Sequence, residues 1–446
     1  MAKTNTSVIS VPVYTHEGAK AQHVGPEAEL LRSLMTCLLW EDTFYESGDS
    51  IGSRIAALVP KVAPERVAAL AVEAREKMQL RHAPLFLVRE LARIKGTGPL
   101  VKDTLATIIQ RADELAEFVS LYWKERRQPL SAGVKRGLAS AFRKFDAYRL
   151  AKYNRDSKVK LRDVLFLCHA KPKDTEQAAL WKSLVDGTLQ PPDTWEVALS
   201  AGKDKKETWE RLLREGKLGG MAVLRNLRNM QQANVDESLI VERLEKGIAR
   251  ALPFRFVAAA RHAPQLEDAI ERTMLKSVAE LPMFPGRTGL LIDVSGSMEA
   301  ALSSKSDMNR IDAASALAIL LREKAERAYV ATFSNACVEI PARHGFALRD
   351  AITQSQPHSG TNTGAAVQAV CAKWRMDRLI VVTDEQSADA IPAMTIPAYM
   401  VNVANYQHGI SYGNGWQHID GWSERILDYI QAVEGNNLTE LVSAWQ

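Results

Sequence analysis

Asp293, Ser295 and Ser297 follow the pattern D-x-S-x-S at the end of an apolar run, TGLLIDV, that reads as a buried parallel strand. Thr361 stands just before a predicted helix, and Asp384 closes a second fully apolar run, RLIVVT. Parallel strands put all three loops at one end of a sheet, which is where such folds place their sites. Gathered there, two carboxylates and three hydroxyls make a set of hard oxygen donors. That set suits Mg²⁺, or another divalent cation, which keeps several waters and needs few protein carboxylates. A D-x-S-x-S run alone is equally a turn whose side chains cap their own backbone. Thr361 and Asp384 in matching loops move the balance to metal binding. No nucleophile or tuned base accompanies them; Glu299, Glu385 and His358 read as loop residues.

A second constellation has different chemistry. Between Lys124 and Lys173 there are 15 bases and 4 acids, against +4 for the whole chain. Phe142, Phe145, Tyr148, Tyr153 and Phe166 are interleaved with them. Cations hold a phosphate backbone and aromatic faces stack bases, so the stretch points to single-stranded or structured nucleic acid. The rival account is a solvated helix face over an aromatic core. The candidate contacts are Lys135, Arg136, Arg143, Lys144, Lys152, Arg155, Lys158, Lys160, His169 and Lys171.

The elements that must position these groups divide the chain. Residues 1–280 carry 45 Lys+Arg and 36 Asp+Glu; residues 281–446 carry 12 and 17. A basic module is therefore joined to an acidic one, and 446 residues are too many for a single core. Residues 1–22 read as a loosely held arm. From Pro26 to about Met283 the apolar spacing is helical almost throughout, with Val101–Val119 and Val134–Tyr153 as single amphipathic runs, and no strand is expected. Helix pairs at roughly 30–45 residue spacing suggest an α-solenoid of HEAT type, a shape for a long ligand.

After Pro285-Gly286 the pattern changes. Strands are expected at Thr288–Val294, Tyr329–Phe333, Cys337–Ile340, Arg378–Thr383 and Ile396–Val403, and helices at Ile311–Leu321, Thr363–Trp374 and Ser423–Val433. The alternation predicts a doubly wound α/β sheet. Cys37, Cys168, Cys337 and Cys371 form no C-x-x-C pair and read as buried thiols of a reducing cytoplasm. No apolar run of membrane-spanning length occurs, and the first residues lack the apolar core of a secretory signal.

The order Asp293, Ser295, Ser297, Thr361, Asp384 resembles the metal-ion-dependent adhesion site of von Willebrand factor A domains. That resemblance implies direct ligation by Ser295 and Ser297, ligation by Thr361 directly or through water, and Asp293 and Asp384 as direct or water-mediated ligands that neutralise charge. It also leaves one coordination position for a partner's carboxylate. The helical part resembles the TROVE module of Ro ribonucleoproteins. The similarity is carried by LLWEDTFYESG (Leu38–Gly48), KFDAYRLAKYN (Lys144–Asn154), LRDVLFLCHAKP (Leu161–Pro172), the run from Pro192 to Met230, and ALPFRFVAAARHAP (Ala251–Pro264). With the A-like half behind it, the chain resembles the shorter, bacterial-type Ro proteins along nearly its whole length.

The resemblance implies three parts: an arm at 1–22, a TROVE-like all-α domain at 23–283, and a von Willebrand factor A-like α/β domain at 284–446. It implies a HEAT-like helical ring closed by the A-like domain. Small Y-like RNAs would bind its basic outer surface, and single-stranded 3′ ends of misfolded noncoding RNAs would enter its hole. It places RNA contacts on Lys152 and His169. Asp156 departs from relatives that carry a base there, flanked here by Arg155, Lys158 and Lys160. It further implies a cytoplasmic monomer that is not an enzyme, with an exoribonuclease or other protein recruited through the A-like domain. Two rivals remain at this stage. One is a metal-dependent scaffolding adaptor whose basic run is merely solvated; the other is a nuclease using Asp293 and Asp384, which the hydroxyl-rich donor set disfavours.

Overall fold

The structure is a computed structural model that describes residues 13–15, 18–21, 25–35, 48–76, 80–154, 156–200, 202–248, 251, 253–279, 281, 283–302, 307–404, 410, 415–421 and 425–434. The chain divides into two units, one mainly of residues 47–280 and one made of residues 281–434 with the first 32 residues.

The first unit is helical, and among its described residues no strand occurs. Its breaks are set by acids that cap backbone. The run Val101–Val119 is two helices, Gly98–Ile108 and Asp113–Tyr122. Buried Glu114 accepts from the backbone N–H of Gln110 and Arg111 at 2.8 and 3.0 Å and from Arg75 Nη2 at 2.7 Å, which fixes the turn between them. Val134–Tyr153 likewise divides into Ala132–Phe142 and Ala147–Tyr153, because Asp146 accepts from Arg149 N at 2.7 Å and starts a new helix. A further helix, Thr175–Asp186, continues the helical pattern; Asp174 caps its start and Gly187, at φ 72°, closes it. The helices Gly98–Ile108 and Ala132–Phe142 approach closely at two glycines. A Cβ on Gly133 would lie 2.5 Å from Gly98 O, and one on Gly137 2.8 Å from Leu105 Cβ.

The second unit contains a six-stranded sheet in the order Cys337–Ile340, Ala325–Phe333, Phe284–Asp293, Arg378–Thr383, Ala398–Asn402, Trp416–Asp420. All pairs are parallel except the first, which is antiparallel, so the doubly wound sheet is mixed at one edge. The strand Trp416–Asp420 and the helix Gly345–Thr353 were not foreseen. The two central strands read as apolar runs because they are covered on both faces: from Leu290 to Asp293 and from Arg378 to Thr383 every residue is buried. Residues 1–22, expected to be a loose arm, include a short antiparallel pair, Val13–Tyr14 with Lys20–Ala21. Thr15 between them is buried, and its hydroxyl donates to Ser387 O at 2.8 Å.

Among the described residues no helix is long and apolar enough to cross a membrane, and Cys168, Cys337 and Cys371 are free thiols.

Candidate functional site

Strand order reverses at Phe284–Asp293 and Arg378–Thr383, whose connections leave in opposite directions across the sheet. Their register pairs Ile292 with Val382, so Asp293 and Thr383 end side by side. Asp293, Ser295, Thr361 and Asp384 are all buried, and Ser297 is half-buried. The D-x-S-x-S loop is built by its own side chains: Ser295 N donates to Asp293 Oδ1 at 2.8 Å, and the Ser295 and Ser297 hydroxyl oxygens lie 3.3 Å apart. Thr383 Oγ1 donates to Asp293 Oδ2 at 2.5 Å. Gly296 N donates to Ser359 O at 2.8 Å, which ties this loop to the one carrying Thr361. Thr361 O in turn accepts from Ala388 N at 2.9 Å and Ser387 Oγ at 3.3 Å, beyond Asp384. The three loops foreseen from sequence are therefore one cluster.

Burial, and next the negative charge of Asp384, push the Asp293 carboxyl up to about 7, against opposing hydrogen bonds from Ser295 and Thr383. Two buried acids this close favour a cation between them. Among the described residues no group of three or more His, Cys, Asp or Glu is placed to hold a metal ion, and the side chains gathered at these loops offer oxygen donors rather than the softer ones that favour zinc or iron. The oxygen-only set fits a small hard cation.

Three supporting residues escaped the sequence reading. Arg310 is buried, and its Nη1 donates to Asp384 Oδ2 at 3.2 Å and to Ser297 O at 3.3 Å. A signal existed: Arg310 follows the Asn309 N-cap, and a cation in a helix's first turn opposes the dipole unless it is paired elsewhere. Thr383 orients Asp293. Asp389 accepts from Gly364 N and Ala365 N, both at 2.8 Å, and caps the helix Thr363–Lys373 that follows Thr361. His358 Nδ1 lies 2.6 Å from Glu299 Oε1 at the exposed side, which makes these two residues a pair rather than separate loop positions.

The basic stretch lies wholly in the helical unit. His169 and Lys135 line one cleft, formed where Leu161–Cys168 packs against Ala132–Phe142. Arg143 Nε donates to Lys171 O at 2.8 Å, which joins two further candidates. Arg136 and Lys158 are exposed. Lys152 sits over the rings of Tyr148 and Tyr153, with Nζ 5.8 and 5.9 Å from their centroids. Lys160 is engaged by Asp156 at 2.6 Å, so the acid at the departing position holds a base that was expected to compensate for it. Lys144 donates to Ala106 O, and burial lowers its pKa. Arg155, Cys37 and residues 38–47 of the LLWEDTFYESG segment lie outside the described residues. Phe142 and Phe145 are core, whereas Tyr148 and Phe166 are 52% and 61% exposed. Trp195 and Trp209 stack on each other at 5.3 Å.

The family match crosses the division between the two units. Residues 179–363 match the family described as TROVE domain, a span that begins in the helical unit and ends in the second unit at Thr363. Over 110 residues the chain is 34% identical to telomerase protein component 1 of Rattus norvegicus and, equally, of Mus musculus. The aligned stretch is 23% of this chain and 4% of either relative, so the chain spans only a small part of their length. The crystal structure of the Deinococcus radiodurans RO (RSR) protein superposes with a TM-score of 0.59 at 17% identity, covering 92% of this chain and 100% of that one. The helical unit followed by the mixed sheet is thus a fold already seen in one chain.

Proposed function

We propose that this chain, whose residues 179–363 match the TROVE domain and whose fold matches that of a Ro protein, is a member of that family and an RNA-binding protein of noncoding-RNA quality control. It binds small structured, Y-like RNAs through the exposed basic and aromatic groups of residues 124–173. It also takes single-stranded 3′ ends of misfolded RNAs on the helical unit. The observation that carries this reading is the coincidence of Lys135, His169 and exposed Phe166 at one cleft, with Arg143 and Lys171 linked nearby, within a chain that has the family's architecture. Phosphate contacts supply affinity and stacking supplies tolerance of sequence.

In the same reading the second unit holds Mg²⁺ or a similar divalent cation through Asp293, Ser295, Ser297, Thr361 and Asp384. The ion presents an open coordination position to a partner carboxylate and has no part in RNA cleavage. The hard oxygen donors and the raised Asp293 carboxyl support it.

Gel-shift titration of a small structured RNA across a salt series tests the proposal. Binding with a log K against log salt slope of several units supports it. Absence of any salt-sensitive shift leaves the scaffolding alternative standing. RNA shortened in Mg²⁺, and left intact after Asp384→Ala, would instead make the protein a nuclease.

A further inference from the structure

The short hairpin of residues 13–21 is organised around one hydroxyl. Thr15 N donates to Ala19 O at 2.8 Å and Gly18 N to Thr15 O at 3.2 Å, with Gly18 at φ 95°, a backbone region that suits glycine. Thr15 Oγ1 accepts from Ala19 N at 3.0 Å and donates to Ser387 O at 2.8 Å. The hydroxyl therefore closes its own turn and gives its proton to a loop of the sheet. Thr15 and Ala19 are buried, whereas Tyr14 and Gly18 are exposed. Burial confined to one side of a small turn marks a docked face.

The loop on which it docks joins two candidate ion ligands. Ser387 is buried, and its neighbours in the chain each hold one of them. Gln386 N donates to Asp384 Oδ1 at 3.2 Å, and Ala388 N donates to Thr361 O at 2.9 Å. Ser387 Oγ donates to Asp389 Oδ1 at 2.7 Å, and the same carboxylate accepts from Gly364 N and Ala365 N in the helix beyond Thr361. Asp384 and Thr361 come from different loops, and the Ser387 peptide is the junction between them. A buried carbonyl needs a donor; the donor at Ser387 comes from the other end of the chain.

We propose that residues 13–21 are a strap for the ion site, with Thr15 as a positioning residue whose hydroxyl fixes the Ser387 peptide and so keeps Asp384 and Thr361 in place for a divalent cation. The proposal rests on the metal reading and deepens it. Groups one layer beyond the ligands set affinity by orienting them. Coupling between two sites is reciprocal, so a cation held by these loops also holds the strap down. Undocking the strap, in turn, weakens the site for the cation without touching a ligand.

The test titrates Mg²⁺ into the full chain by calorimetry, with thermal melts in EDTA and in Mg²⁺, for the parent, Thr15→Val and Thr15→Ser. Valine keeps the shape and removes the hydroxyl. It should weaken Mg²⁺ binding about 10-fold and shrink the rise in melting temperature that Mg²⁺ gives. Serine keeps the hydroxyl and should restore both. In the parent, tryptic cleavage after Lys20, followed by mass spectrometry well below the melting temperature, should be slower in Mg²⁺ than in EDTA; this readout stands even if the valine variant does not fold. Unchanged Mg²⁺ affinity in Thr15→Val, whatever its melting temperature in EDTA, overturns the strap, because a merely structural hairpin behaves that way. Cleavage after Lys20 at equal rates in Mg²⁺ and EDTA overturns it as well. A parent chain that binds no Mg²⁺ overturns the metal reading with it.

Discussion

Arg310 Nη1 lies 3.2 Å from Asp384 Oδ2, with both side chains buried, Arg310 in the first turn of the helix Arg310–Lys324 and Asp384 just beyond the strand Arg378–Thr383. A fixed cation therefore already sits against one of the acids that the metal reading assigns to the ion. Asp293 and Asp384 bring two negative charges and Arg310 returns one, so a divalent ion faces a site with net charge near −1 rather than −2. Fewer uncompensated charges weaken a site for a hard cation.

Arg310→Gln should therefore destabilise the second unit in EDTA, by about 3–5 kcal/mol if Asp384 is left without its buried cation. It should also increase the stabilisation that Mg²⁺ provides. Thermal melts of parent and variant, each in EDTA and in Mg²⁺, measure both effects. An Mg²⁺-dependent shift no larger in the variant than in the parent would show that Arg310 does not set ion affinity.

Lys158 and Lys171 are exposed, whereas Lys160 is held by Asp156. Replacing Lys158 and Lys171 with Glu should reduce the slope of log K against log salt by about one unit for each lost phosphate contact. Asp156→Asn releases Lys160 and should strengthen RNA binding at low salt, since an exposed ion pair holds its lysine weakly. Titrations at three salt concentrations separate these outcomes; an unchanged slope in the double variant would remove those lysines from the interface.

At Gly137 two opposing effects compete. Alanine in a helix interior gains about 1 kcal/mol over glycine. Here its Cβ would sit 2.8 Å from Leu105 Cβ and 3.0 Å from Lys102 O, in contact with backbone that cannot move away cheaply. Overpacking of this kind costs about 1–3 kcal/mol, so Gly137→Ala should be net destabilising in urea denaturation. A stabilised variant would mean that the two helices separate readily.

Asp377 accepts from Arg287 Nε and N at 3.1 and 2.7 Å, and these bonds hold its carboxyl down at about 2. A folded-state value below the ordinary 3.8 means that the stabilisation is present above about pH 4 and is lost as pH falls toward 2. The group is exposed, so the effect is small. Asp377→Asn should flatten the pH dependence of the unfolding midpoint in that window and change little near neutrality. An acid limb that is the same in parent and variant would assign the dependence to other carboxylates.

The ion-type loops were legible because the residue types that bind hard cations stood at the ends of runs apolar enough to be buried strands. Arg310 was not, since its partner Asp384 is 74 residues away and only the strand order brings them together. In the helical unit the apolar period was visible, yet Glu114 and Asp146 cut two runs in half. An acid that caps backbone at a turn overrides periodicity, whether it is buried, as Glu114 is, or exposed, as Asp146 is. Charge density between Lys124 and Lys173 was plain from composition. Its direction was not: Lys144, Lys152 and Lys160 are occupied by a carbonyl, two rings and a carboxylate, while Tyr148 and Phe166 prove to be exposed and Phe142 and Phe145 core.

The hydrogen bond from Thr15 to Ser387 joins residues 372 apart. As the polypeptide leaves the ribosome, the short hairpin near its beginning must wait through synthesis of the whole helical portion before its docking surface exists. Contacts of such separation form late and slowly, and an early segment kept waiting is exposed to proteases and to wrong associations meanwhile. Helical residues made in between can fold locally during that interval, so the helical portion is folded before the contact forms, and a segment translated before it completes the later unit.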